Sequence, residues 1–153
     1  MAEFLHREMN VAIPEVDIGD DIVVVRDDND QITRVQVKTA NAKPLKSPGL
    51  FSAQFKLPLH QLENGPLHLV YALVVRRSNR WEEFVIIRRS ILFQLHTSNG
   101  LGSVDPKANL ILALTFGPDA IMNKGLNLNP FRSRFDPWPP SDVVPDGVIP
   151  PAE

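Results

Sequence analysis

PEVDIGDDIVVVRDDNDQITRVQVKTA, residues 14–40, contains two candidate strands around one turn, and the rest of the chain is arranged by it. DIVVVR (21–26) is a β-branched run suited to a buried strand. Asp27-Asp28-Asn29-Asp30 is a turn cluster, because short polar side chains bond their own backbone there. QITRVQVK (31–38) then alternates apolar and polar residues, the period of a strand with one face buried. A four-residue loop pairs Arg26 with Gln31 and Val25 with Ile32. The ladder continues through Val24 with Thr33, Val23 with Arg34, Ile22 with Val35, and Asp21 with Gln36. Opposed residues share a sheet face. Lys38 shares the face of Gln36, because side chains alternate along a strand.

This register gathers a carboxylate, an amide and an ammonium at one end of a hairpin. Asp21 and the Gln36 side-chain oxygen are hard ligands suited to Mg²⁺ or Mn²⁺. Such an ion lowers the pKa of its water and stabilises charge on a phosphoryl group. Lys38 is placed to orient that water or to offset developing charge. Asp17 and Gly19 precede Asp21 in a D-x-G-x-D arrangement, which makes Asp17 an auxiliary carboxylate. The plain structural reading is a solvated hairpin face with Lys38 paired to Asp21.

In these residues the sequence resembles the PD-(D/E)XK nuclease superfamily. An acid at the head of one strand and an E-x-K or Q-x-K on the next form that family's metal site. Asp21 matches the first element, and Gln36-Val37-Lys38 matches the second in its glutamine variant. The layout is similar to archaeal Holliday-junction resolvases. LHLVYALVVRR (67–77) and WEEFVIIRR (81–89) match later core strands, so the resemblance covers roughly residues 3–95. The family usually carries a glutamate on a first helix; Glu3 is the candidate here, close to the start of the sequence and to the hairpin. The resemblance implies an α/β, restriction-endonuclease-like mixed sheet with a short N-terminal helix, a central hairpin and flanking helices. It also implies divalent-metal-dependent hydrolysis of nucleic-acid phosphodiesters, DNA foremost. The alternative is a catalytically silent module of the same fold that acts in binding or assembly, with a homodimer as one form.

Outside the hairpin, AEFLHREM (2–9) reads as a short helix with Phe4, Leu5 and Met9 on one face. FSAQFKL reads as a short strand, and Pro58 opens a helical turn to Leu62. SILFQLH (90–96) reads as a helix capped by Ser90, followed by loop over 97–106. ANLILALTF (108–116) fits strand or helix, because periodicity does not separate the two in a short apolar run. Seven prolines after residue 127 mark an extended tail that orders where Phe131, Phe135 and Trp138 dock. The expected division is therefore a domain over 1–126 and a tail over 127–153.

The 153 residues hold no cysteine, which excludes disulfides, zinc–thiolate sites and thiol nucleophiles. No apolar run approaches the roughly 18 residues of a membrane helix, and residues 1–10 lack a signal-peptide core, so the expected location is cytoplasmic. The net charge of −2 is unevenly spread. Seven acids and one base lie within residues 15–30, whereas 14 basic and nine acidic residues follow residue 30. Arg76, Arg77 and Arg80, with Arg88 and Arg89 nearby, form a candidate phosphate-binding patch, balanced against a solvated strand end facing Glu82 and Glu83. Trp81 reads as a core or edge residue. His6, His60, His68 and His96 lack metal-ligand spacing.

Overall fold

The computed structural model describes residues 1–14, 21–26 and 31–150. Asp17, Gly19 and the turn Asp27 to Asp30 lie outside the described residues. A short helix α1 (Ala2–Leu5) leads into β1 (Asn10–Ala12), β2 (Ile22–Arg26), β3 (Gln31–Asn41), β4 (Lys43–Pro44) and β5 (Phe51–Pro58). After α2 (Leu59–Asn64) come β6 (Leu69–Arg77), β7 (Arg80–Arg88) and α3 (Arg89–Asn99). The chain continues through β8 (Ser103–Val104), β9 (Asn109–Phe116), β10 (Ile121–Asn123), β11 (Leu126–Asn127) and a 3₁₀ turn over Asn129–Phe131. No helix among the described residues is long and apolar enough to cross a membrane.

The strands form two sheets. The first has the order β1-β2-β3-β6-β7; the second runs β11-β10-β9-β5-β4, with β8 on β9. The first sheet is mixed, so the molecule is an α/β fold with few helices. β2 and β3 pair antiparallel from Ile22↔Val35 to Arg26↔Gln31, the register expected from the sequence. β3 then runs parallel to β6, with Gln36 beside Tyr71 and Lys38 beside Leu73. A parallel pair needs a crossover, and here β5 and α2 supply it.

Strand alternation divides the first sheet into two faces. Leu69, Tyr71, Leu73, Val75, Val85 and Ile87 point into the main core, against the second sheet and α3. Val24, Val35, Val70, Ala72, Val74 and Ile86 point the other way, where Phe4, Phe135 and Trp138 cover them. The Phe4 ring meets Phe135 and Trp138 edge-on, at 5.3 and 4.8 Å between centroids, a favoured aromatic geometry. The proline-rich segment therefore docks through the three aromatics named from sequence, since Phe131 enters the main core. Arginines bolt it down: Arg26 donates to the Trp138 carbonyl at 2.9 Å, and Arg88 donates to the Pro140 carbonyl and pairs with Asp142.

Several expectations are corrected. The first helix is one turn long; Phe4 is buried but Leu5 is 53% exposed, because the chain leaves the helix and Glu8 takes a positive φ. β1 was not apparent in the sequence; it is a three-residue edge strand, too short for periodicity to reveal. The third helix starts at Arg89 with Arg88 as N-cap, and Ser90 makes no cap bond because it lies inside the first turn. Residues 97–99 extend that helix, and Gly100 ends it in the left-handed conformation at φ 72°. The ambiguous run is decided as a strand over Asn109–Phe116, held on both edges by β5 and β10. Of the two places expected for Trp81, core or edge, it takes the edge: it lies on the outer strand β7 and is 54% exposed.

Candidate functional site

The site forms where the hairpin ladder ends. Asp21 is exposed and lies one residue before β2. Its main-chain N–H donates to the Val35 carbonyl at 3.1 Å. Its carboxylate Oδ2 accepts the Val37 N–H at 2.6 Å and the Gln36 Nε2–H at 2.6 Å. A side chain thus continues the ladder where β2 has not yet begun, which fixes Asp21 against the middle of β3. Charge-assisted bonds of this length are the stronger kind.

Gln36 is buried, 5% exposed, on the main-core face of β3. Its amide is held at both ends. Nε2 donates to Asp21, and Oε1 accepts from Gln61 Nε2 at 3.0 Å. Gln61 Oε1 accepts in turn from the Tyr71 hydroxyl at 3.1 Å. Burial pushes the Tyr71 phenol well above its ordinary pKa, against a smaller opposing effect of the Arg89 guanidinium, so its proton stays on. The chain Tyr71–Gln61–Gln36–Asp21 carries polar groups from the core to the surface, each with a partner. A buried polar group without one is costly.

Lys38 is half-buried two residues further along the same face. Its ammonium has no hydrogen bond or ion pair among the described residues, and it is not paired with Asp21. Glu3 does not join the group. It bonds Arg7 at 2.7 Å and lines an apolar groove of about 610 Å³ with Ile22, Val37 and Phe84, on the face of the sheet away from Gln36. The separation follows from alternation, since Val37 and Gln36 are neighbours on β3. Asp17 lies outside the described residues.

Of the five arginines, three stay at the surface. Arg76 bonds Asn79 at 3.2 Å beside Trp81, Arg77 stacks on Phe51, and Arg80 is exposed at the start of β7. They sit at the far end of the sheet, five residues along β3 and β6 from the level of Gln36, roughly 16 Å at the rise of a strand. Arg88 and Arg89 are corrected from surface to structural residues, each 7% exposed. Arg89 donates to the carbonyls of Leu62, Glu63 and Pro66, where it satisfies the end of α2. Backbone carbonyls occupy the guanidinium that a phosphate would need.

The sequence pattern did not point to Gln61 or Tyr71. A signal for Tyr71 was present: a lone tyrosine in the run LVYALVV needs a partner for its hydroxyl.

Asp21 offers a carboxylate oxygen at the surface, whereas the Gln36 amide turns its Nε2–H to that carboxylate and its oxygen to Gln61, so Gln36 would ligate a divalent cation only with its amide reversed. Among the described residues no group of three or more histidines, acids or cysteines gathers anywhere. The chain matches no family model and no curated protein.

Proposed function

We propose that this protein is a nuclease-like hydrolase with a restriction-endonuclease-like layout, which cleaves nucleic-acid phosphodiesters, DNA foremost, with a divalent cation. The observation that carries the reading is the 2.6 Å contact between Asp21 and Gln36, with Lys38, which has no partner among the described residues, two residues on along the same face. In this reading Asp21 and Gln36 hold Mg²⁺ or Mn²⁺. The cation supplies an acidified water and charge stabilisation at the phosphoryl group. Lys38 orients the attacking water, and the ladder bond from Val37 keeps Asp21 in place. Arg76, Arg77 and Arg80 give the exposed end of the sheet positive charge for a phosphate backbone. The protein works in the cytoplasm in this reading, and a homodimer is the assembly to test for.

The test is Lys38→Ala. This variant should lose Mg²⁺-dependent nicking of plasmid DNA while its circular dichroism and melting temperature stay unchanged, because no described partner depends on Lys38. Undiminished cleavage contradicts the assignment.

A second reading, a catalytically silent module of the same fold, is favoured by two placements: Glu3 lies on the opposite face, and both ends of the Gln36 amide are engaged. Calorimetric titration with Mg²⁺ or Mn²⁺ separates the two. Heat of binding that disappears in Asp21→Ala supports the hydrolase, and absence of binding supports the silent module.

A further inference from the structure

The β6–β7 hairpin turns through Ser78 and Asn79, both with positive φ (48° and 62°), the two-residue form whose twist matches that of its strands. The turn sets Arg77 directly opposite Arg80, and Arg76 opposite Trp81. Like charges opposed across a strand pair are unfavourable, so the tip carries a cost that a bound anion would offset. The loop across from it adds charge of the same sign. Residues 41–51 and 76–81 contain Lys43, Lys46, Arg76, Arg77 and Arg80 and no acid. The next acids along β7 do not pair with these cations: Glu83 is tied to Arg132 at 3.1 Å, and Glu82 forms no ion pair among the described residues.

Two hollows flank the tip. Between it and the 42–50 loop lies a cleft of about 620 Å³, lined by Arg76, Arg77, Asn41 and Ser47 among others. The Arg77 guanidinium stands 5.0 Å from the ring centre of Phe51, a contact that holds this cation at the cleft. On the other side ends the apolar groove of about 610 Å³, which Arg80, Trp81 and Phe84 line. The Trp81 ring is largely in solvent, whereas Trp138, the other tryptophan, is buried. The Arg76 guanidinium lies 5.9 Å from the Trp81 ring centre and bonds Asn79 at 3.2 Å. An exposed indole thus stands between a cationic cleft and an apolar groove.

Charge alone would admit any polyanion. The indole narrows the choice, because it offers a flat apolar face beside the cations. A duplex keeps its base faces stacked on one another and presents their edges, whereas an unpaired strand presents a free face and a phosphate at every nucleotide. We propose that the β6–β7 tip is a binding site for single-stranded nucleic acid, with a base stacked on Trp81 and the adjoining phosphates held by Arg76, Arg77 and Arg80. The inference rests on the nucleic-acid reading above and narrows it to an unpaired strand; binding at the tip needs no divalent cation.

Fluorescence anisotropy of a labelled oligothymidylate, in EDTA and at fixed salt, measures this binding apart from any cleavage. The single strand should bind on the order of tenfold more tightly than its duplex with oligoadenylate. Trp81→Ala should weaken single-strand binding by roughly tenfold to a hundredfold, the contribution of one stacked base, and should leave binding of an abasic strand unchanged. Emission from the buried Trp138 reports in the same sample that the variant is folded. Arg80→Ala should flatten the slope of log affinity against log salt by about 0.7, the loss of one phosphate contact. Duplex binding as tight as that of the single strand, equal losses on thymidylate and abasic strands, or an unchanged salt slope overturns the proposal. So does polyglutamate that competes with equal potency, which marks a general polyanion patch. Absence of binding in EDTA overturns the site and leaves cleavage to be judged by Lys38→Ala. Cleavage retained in Lys38→Ala removes the catalytic assignment and leaves a strand bound at the tip standing.

Discussion

The carboxylate of Asp21 accepts the main-chain N–H of Val37 at 2.6 Å, so the β2–β3 ladder gains a rung made by a side chain. Replacing Asp21 with alanine removes this acceptor and the partner of the Gln36 amide together. Hydrogen bonds to charged groups contribute about 1.5–3 kcal/mol. The Val37 amide should exchange with solvent at least tenfold faster in Asp21→Ala, while amides of the second sheet keep their protection. Unchanged exchange at Val37 would show that the rung contributes nothing.

The hydrogen-bonded chain from Tyr71 to Asp21 makes a second prediction. Gln36→Leu removes one acceptor of the half-buried Gln61 amide, which should cost about 1 kcal/mol in denaturant unfolding even with no cation present. Stability equal to the wild type would mean that Gln61 finds another partner at no cost.

Tyr71 also sets a pH limit. Its folded-state pKa is raised by burial above the ordinary 10.0. The neutral phenol therefore contributes stability that is fully present below pH 10 and is lost as the pH rises toward the folded value. As the lone tyrosine, it gives a clean absorbance signal. Ionisation should coincide with alkaline unfolding; a titration near pH 10 in protein that retains its fold would contradict the burial.

At the acid end, Asp105 behaves in the opposite sense. It accepts from the Asn109 side chain and main chain and from the Lys107 N–H, and these bonds hold its carboxyl down at about 2. The stability it provides is present above pH 4 and is lost as the pH falls toward 2. Asp105→Asn should therefore flatten the acid limb of the unfolding curve in that window. An identical acid limb in the variant would remove Asp105 from the account.

The hairpin was legible because its register is local. A β-branched run and an alternating strand around a short polar turn admit one pairing that buries Val24 and Val35, and the structure has that pairing. The docking of Phe131, Phe135 and Trp138 was legible because large aromatics in a polar, proline-rich segment need cover. The partners of Gln36 were not legible. Gln61 is 25 residues away, and Tyr71 reaches the site through the parallel β3–β6 pair, whose neighbour order no periodicity encodes. The same limit misplaced Arg88 and Arg89, since a charge in sequence does not show which carbonyls it will meet. It also left open the side of the sheet on which Glu3 would pack.

The most direct test of the central claim is paramagnetic broadening by Mn²⁺ in ¹⁵N-labelled protein. The account predicts that substoichiometric Mn²⁺ selectively broadens the amides of Asp21, Gln36 and Val37, and that Asp21→Asn abolishes the effect. Broadening that spares these three residues, or that persists in Asp21→Asn, would contradict a cation site at the head of the hairpin.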